Sequence, residues 1–234
     1  MTRPVIGINC ELEEVRKRMR LTLCDDYVRA VAAAGGLPIL LAHLQTEDEW
    51  REALSHVDGL VLSGGDDLTP SLYGQAPHPS VDLLPERKQA SDLALMNVLF
   101  ERRTPALGIC YGAQLLSVWR GGTLVQDIPT AVGTSVAHAK GARHDVEIDP
   151  SSRVGRILGV ARVPVLSWHH QSVDSPGKGV RVAARSGDGV VEAVEDGEHP
   201  FFLAVQWHPE RMPDAPEQGR LFAALVDAAR GPLR

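Results

Sequence analysis

Two short stretches, far apart in the chain, carry residue types that could do chemistry together. The first is Gly108-Ile109-Cys110-Tyr111-Gly112, which joins the apolar run Ala106-Leu107-Gly108-Ile109 to the helix-forming Ala113-Gln114-Leu115-Leu116-Ser117-Val118-Trp119. A nucleophile between two glycines at a strand-to-helix turn has the elbow geometry. The glycines remove Cβ atoms that would collide as the chain doubles back. The turn lifts the sulfur to the carboxyl edge of a sheet and over the positive end of the next helix, a setting that favours a thiolate. The alternative is a buried core cysteine, because free Cys is among the most buried residue types and short G-x-C-x-G strings recur by chance.

The second stretch is Gln206-Trp207-His208-Pro209-Glu210, at the end of a strand-like run that begins at Phe201. A residue before proline is pushed into extended geometry, so His208 and Glu210 are expected on one face, two residues apart. The carboxylate can then hold one imidazole nitrogen while the other faces the thiol, the third-group role in a triad. A lone loop histidine is usually just solvated. Together with the cysteine elbow the pair becomes a constellation.

These groups need a scaffold, and the hydrophobic pattern supplies one. Residues 5–9, 37–41 and 59–62 read as buried strands. Residues 23–34 and 47–55 read as helices, the former ending at Gly35-Gly36. Residues 91–102 form a helix leading into the elbow strand. Alternation of this kind implies right-handed crossovers and a largely parallel sheet covered on both faces. Residues 66–88, rich in Pro, Asp and Ser, read as a long loop, and such loops are often functional. From about 143 to 205 short strands and turns suggest antiparallel additions. The expected fold is therefore α/β, a single domain over residues 1–234.

Spacing places further groups around this centre. Gln114 lies four residues after Cys110, on the same helical face, where an amide could meet a substrate or simply face solvent. Ser63-Gly64-Gly65 closes the strand at 59–62, and glycines there let backbone amides approach a ligand or merely turn the chain. His169 and His170 are neighbours in extended chain and point to opposite sides, which makes them a poor joint metal site. Glu192 could as well sit on a solvated strand face.

Taken together, Gly-Ile-Cys-Tyr-Gly-Ala-Gln and the distal Gln-Trp-His-Pro-Glu resemble the class I glutamine amidotransferases. Within them the chain is most similar to the free-standing gamma-glutamyl-gamma-aminobutyrate hydrolase (peptidase C26-like) branch. The branch-level features are Leu62-Ser63-Gly64-Gly65-Asp66-Asp67-Leu68-Thr69-Pro70 with Tyr73-Gly74, then Ser167-Trp168-His169-His170-Gln171 and Asp188-Gly189-Val190-Val191-Glu192-Ala193. The resemblance implies a flavodoxin-like sheet and a Cys110, His208, Glu210 triad. It implies an oxyanion hole from the backbone N–H groups of Gly65 and Tyr111, and substrate contacts at Gly64, Gln114, His169 and Gln171. His169 is equally open to a structural role. One departure lies at Arg87-Lys88-Gln89-Ala90-Ser91-Asp92, where many members carry an Arg-Asp pair and a nearby carboxylate; the aspartate position reads as Gln89, which touches substrate choice.

Composition narrows the alternatives. The 234 residues carry a net charge of −6 and are 44% hydrophobic, which supports a sizeable core and argues against nucleic acid or an anionic membrane as partner. The N-terminus runs into a strand without a signal-type apolar region, and no apolar run reaches membrane-spanning length. Three scattered cysteines fit neither a disulfide framework nor a metal site, and cytoplasm is the expected compartment. No metal and no cofactor is expected. The expected partner is a small gamma-glutamyl molecule, with a homodimer allowed. Three readings follow: a hydrolase of gamma-glutamyl amides acting through a thioester, a glutaminase subunit that hands ammonia to a synthetase, or a silent binding protein. The leaving amine stays open among gamma-aminobutyrate, ammonia and another small amine.

Overall fold

The computed structural model describes residues 2–231. In chain order the elements are β1 (Val5–Asn9), β2 (Glu11–Val15), β3 (Arg18–Thr22), α1 (Asp25–Ala33), β4 (Leu37–Leu41), α2 (Glu47–Leu54), β5 (Gly59–Leu62), α3 (Glu86–Arg102), β6 (Ala106–Ile109) and α4 (Tyr111–Trp119). They continue with β7 (Thr123–Val125), α5 (Ile128–Ala131), β8 (Ala142–Ile148), α6 (Arg153–Leu158), β9 (Arg162–Ser167), β10 (Ser172–Ser175), β11 (Val180–Ser186), β12 (Val191–Asp196), β13 (Phe202–Val205) and α7 (Pro216–Ala229).

An 11-stranded sheet runs β4-β1-β5-β6-β13-β12-β11-β8-β9, with β7 and β10 branching from β12. The first five strands pair in parallel, and from β13 to β9 every pairing is antiparallel. The sequence dictates this division. Gly-Leu-Val-Leu, Ala-Leu-Gly-Ile and Phe-Leu-Ala-Val are wholly buried, the continuous apolar runs of strands covered on both faces. β8 and β9 instead alternate buried with exposed or half-buried positions, as strands with one wet face do.

Helices on the two faces close two cores. On one side Trp50, Leu54, Met96, Leu99 and Leu115 from α2, α3 and α4 pack together, and on the other Tyr27, Val31, Leu158, Phe222 and Leu225 from α1, α6 and α7. α2 begins with a capping box. The Glu49 N–H donates to Thr46 Oγ1 at 3.2 Å, and the Thr46 N–H donates back to the Glu49 carboxylate at 3.0 Å. No helix among the described residues is long and apolar enough to cross a membrane.

Three local expectations are corrected. α3 starts at Glu86 rather than at 91, and Pro70–Tyr73 forms a 3₁₀ turn inside the stretch read as loop. The first turn of α3 is polar and carries no apolar periodicity, which hides its start in the sequence. The hairpin β2–β3 is an addition to the expected elements, since Glu-Leu-Glu-Glu-Val-Arg-Lys-Arg-Met-Arg is charge-rich; Arg16 and Lys17, at φ 52° and 62°, make its tight turn. Glu192 lies on a strand buried along its whole length, so the solvated-face account of it fails.

Candidate active site

β6 and β13 are parallel neighbours paired from Ala106↔Phe202 to Ile109↔Val205. Their carboxyl ends therefore stand at one height, and the residues that follow leave the sheet side by side. From β6 the chain turns at Cys110, whose φ of 52° and ψ of −102° place a non-glycine residue in sparsely populated space. Such strain costs about 1–3 kcal/mol and is kept only where surrounding packing enforces it. Here the packing is visible. A Cβ on Gly112 would lie 2.7 Å from the Leu62 carbonyl oxygen, and one on Gly108 would lie 2.8 Å from Ala204 Cβ and 2.9 Å from the Gly112 backbone. The elbow needs both glycines, as the motif implied.

His208 follows β13. Its backbone N–H donates to the Leu166 carbonyl at 2.9 Å, and its Nδ1 lies 2.7 Å from Glu210 Oε1. Both side chains are buried. The pair does not arise from strand alternation, because Pro209–Arg211 is a 3₁₀ turn; the turn brings the carboxylate back under the ring instead. The other nitrogen, Nε2, makes no hydrogen bond of regular geometry. Burial opposes a charge on this ring, but the adjoining Cys110 sulfur and the Glu210 carboxylate outweigh it and the imidazole pKa is pushed up to about 10. Gly64 completes the junction: a Cβ there would sit 3.3 Å from His208 Cε1 and 3.8 Å from Cys110 Cβ. Gln206 Nε2 donates to the Cys110 sulfur at 3.5 Å.

These groups open into a cavity of about 230 Å³ lined by Gly65, Cys110, Gln114, Trp168, His170 and Gln171. Gly65, at the cavity wall, packs directly on Tyr111, its Cβ position 3.6 Å from Tyr111 Cγ. The Gly64 N–H is occupied by Tyr27 Oη at 3.0 Å, so Gly64 serves by its small size rather than by its amide. Gln114 Nε2 reaches the Gln171 carbonyl and Gln206 Oε1, both at a long 3.4 Å. Gln171 is buried, yet neither its side-chain oxygen nor its nitrogen has a protein partner. A buried amide in that condition is costly unless a ligand or water satisfies it. Asp66, Asp67 and Asp82 form an acidic wall, and Asp66 is held above the usual carboxylate range by burial and by the other two carboxylates.

His169 and His170 do point apart. His170 Nε2 lies 3.0 Å from Asp67 Oδ2 at the mouth, and this hydrogen bond raises its pKa. His169 borders the cavity, but its ring is turned away: Nδ1 donates to the Gln171 carbonyl at 2.9 Å, and Nε2 points toward Glu192. His169 thus borders the cavity while its ring nitrogens serve the protein, an orientation that suits the structural alternative. Several groups escape sequence reading. Lys88, Asp92, Asn9 and Tyr111 form a buried network beneath the elbow, in which Lys88 Nζ and Tyr111 Oη donate to Asp92 Oδ2 at 2.7 and 2.9 Å. Asn9 Nδ2 donates to Asp92 Oδ1 at 3.2 Å, and Asn9 Oδ1 accepts from the Ser63 N–H at 2.7 Å. The i,i+4 spacing of Lys88 and Asp92 is the available signal. Gln89 pins the loop by accepting from the Thr69 N–H at 2.8 Å.

A sheet of this topology, with a cysteine elbow beside a buried His–Glu pair, defines an amidotransferase-type α/β hydrolase class. A solved structure from Thermoplasma acidophilum, described as part of a candidate GMP synthase, shares the fold. It superposes with a TM-score of 0.66 over 98% of both chains at 18% identity. The peptidase C26 family model matches residues 4–210, and the chain belongs to that family. A candidate glutamine amidotransferase of Mycobacterium tuberculosis is 39% identical over 98% of this chain and 76% of its own length. The gamma-glutamyl-gamma-aminobutyrate hydrolase of Escherichia coli K12 is 35% identical over 90% of this chain and 87% of its own. The amide-bond hydrolase class expected from sequence is thereby supported at family level.

Proposed function

We propose that the chain is a free-standing cysteine hydrolase of gamma-glutamyl amides. The observation that carries this is the meeting of Cys110, on its strained elbow in the lining of the cavity, with a buried His208 whose Nδ1 is 2.7 Å from Glu210. In the first step the Cys110 sulfur attacks the γ-carbonyl carbon, and the oxyanion forms against the N–H groups of Gly65 and Tyr111. As the C–N bond breaks, protonated His208 gives its Nε2 proton to the departing amine, leaving a γ-glutamyl thioester. His208, now neutral, takes a proton from water, and the resulting hydroxide equivalent cleaves the thioester, freeing glutamate and returning Cys110 as a thiolate beside protonated His208. Glu210 holds the ring and steadies its charge throughout. Gln171 and Gln114 offer amides to the glutamyl group.

The substrate class comes from the hydrolase relatives, and the second reading from the relative named a glutamine amidotransferase: a glutaminase passing ammonia to a synthetase. A panel of gamma-glutamyl amides and glutamine, incubated with the purified chain alone and read by glutamate release, separates the two. Ordinary turnover on at least one substituted amide, without nucleotide, is the expected result. Turnover that appears only when a synthetase is added would replace this reading by the second.

A further inference from the structure

We propose that His138, His144, His169 and Glu192 form a binding site for one divalent transition-metal ion of the zinc type. The four come from separate segments: His138 precedes β8, His144 lies on β8, His169 follows β9, and Glu192 lies on β12. One ligand atom from each falls within 4.8 Å of all the others. From Glu192 Oε1 the inward nitrogens stand at 3.1 Å (His138 Nδ1), 3.5 Å (His144 Nε2) and 3.8 Å (His169 Nε2). The edge of a tetrahedron with metal–ligand bonds of about 2.0–2.1 Å is about 3.3 Å, so small shifts bring these atoms onto one ion. Three imidazoles with one carboxylate suit zinc and its neighbours, whereas calcium and magnesium take oxygen sets.

The second observation is what the inward atoms lack. Glu192 is fully buried, and neither carboxylate oxygen makes a hydrogen bond of regular geometry. The same holds for His138 Nδ1 and His169 Nε2. The outward nitrogens, by contrast, are held. His138 Nε2 lies 3.0 Å from Asp188 Oδ2, and His169 Nδ1 lies 2.9 Å from the Gln171 carbonyl oxygen. Asp188 is itself oriented by the Ser186 hydroxyl, which donates to its Oδ1 at 2.6 Å. An outer acceptor on each ring fixes the tautomer that turns a lone pair inward, the arrangement that surrounds metal-bound histidines. His144 Nε2 accepts from the Ser167 hydroxyl at 2.8 Å, a bond the rotating hydroxyl can give up to an ion. The competing account is a purely organic cluster, with a charged His138 between Asp188 and Glu192. That account explains one ring. It leaves the inward nitrogen of His169 and the second oxygen of Glu192 without protein partners.

Four protein ligands leave no open position, so the ion would be structural. Its place gives it a consequence for the cavity. His169 is tied to the Gln171 carbonyl, and Gln171 carries the unpartnered amide of the cavity wall. The ion would thus hold that wall against β8 and β12.

The test is a zinc titration of tag-free protein stripped with a chelator and shown by circular dichroism to remain folded. One equivalent of Zn²⁺ bound per chain at micromolar metal is expected, and Co²⁺ in its place should give the intense visible band of a tetrahedral site. Asp188→Asn should weaken zinc binding about 10–100-fold through His138 alone, and Glu192→Gln should weaken it further. Folded wild-type protein that takes up no Zn²⁺ under these conditions overturns the proposal. So does uptake equally tight in folded Glu192→Gln, which would place the ion elsewhere. The wild-type titration decides the matter even if a variant fails to fold.

Discussion

At the scale of single residues, the three cysteines occupy environments that differ enough to be told apart by reactivity. Burial raises the Cys10 thiol, and burial likewise raises Cys24, whose sulfur also donates to Asp26 at 3.2 Å. Cys110 differs in that its sulfur meets an imidazole, that of His208, whereas the His43 ring beside Cys10 bonds the backbone carbonyl. Iodoacetamide at neutral pH should therefore label Cys110 first, as read by peptide mass mapping. Cys110→Ala should abolish glutamate release while Cys10→Ala and Cys24→Ala keep most of it. Preferential labelling of Cys24 with Cys110 inert would sink the nucleophile assignment. His208→Ala should lower kcat by about 10⁴-fold or more and Glu210→Gln by less, since orientation is only part of what the imidazole provides. The raised His208 pKa also has a thermodynamic sign. The folded value of about 10 exceeds the unfolded value of about 6.5, so this ring's stabilising contribution is full below about pH 6.5 and is lost as pH rises toward 10. The melting-temperature gap between wild type and His208→Gln should accordingly be widest near pH 6 and close by pH 10. A gap that widens with pH would mean the ring is neutral in the fold.

At the scale of elements, the site depends on how tightly β5, β6 and α4 approach one another. Gly112→Ala places a methyl 2.7 Å from a backbone oxygen that cannot swing away. Destabilisation of about 1–3 kcal/mol in urea melts is expected, with loss of turnover in the remaining folded protein. Lys88→Met should cost about 3–5 kcal/mol, because it strands the Asp92 carboxylate without its cation beneath the elbow. A near-neutral result would mean that the Lys88–Asp92 pair adds little to stability. The elements also show what the sequence could reveal. Gly108 to Gly112 and His208 to Glu210 are legible because each is a local string whose spacing is itself the chemistry. The parallel half of the sheet is legible because its strands are continuous apolar runs. His138, His144 and Glu192 are not, since they converge only when β8, β9 and β12 take their places in the antiparallel half, and no spacing along the chain records that. Lys88 escapes for a related reason: a lysine near a helix start reads as surface until its partner Asp92 is seen fully buried.

At the scale of the whole molecule, an acidic surface meets an acidic cavity wall. Asp66, Asp67 and Asp82 border the space that would receive the amine half of a substrate, and the His170 ring beside Asp67 and the buried Lys88 near Asp66 offset part of their charge. A second carboxylate on that amine would be repelled, and an ammonium would be drawn in. Among gamma-glutamyl amides, those of diamines should show a higher kcat/KM than gamma-glutamyl-gamma-aminobutyrate, and the preference should shrink at high salt. Equal kcat/KM values for the two would show that the acidic wall is screened or faces elsewhere.

The alignment of β6 with β13 has a further consequence, one of timing. Cys110 and Gln206 lie 96 residues apart in the chain and meet only across that strand pair. A ribosome adding about 5–20 residues per second needs roughly 5–20 s to cover the interval. Throughout it the nascent chain carries the Cys110 elbow without the His208–Glu210 pair, and a product truncated before β13 lacks that pair. On the proposed function, the thiol would gain its partners only when the last strand is inserted into the middle of the sheet, so that competence for chemistry would wait on the fold's most non-local pairing.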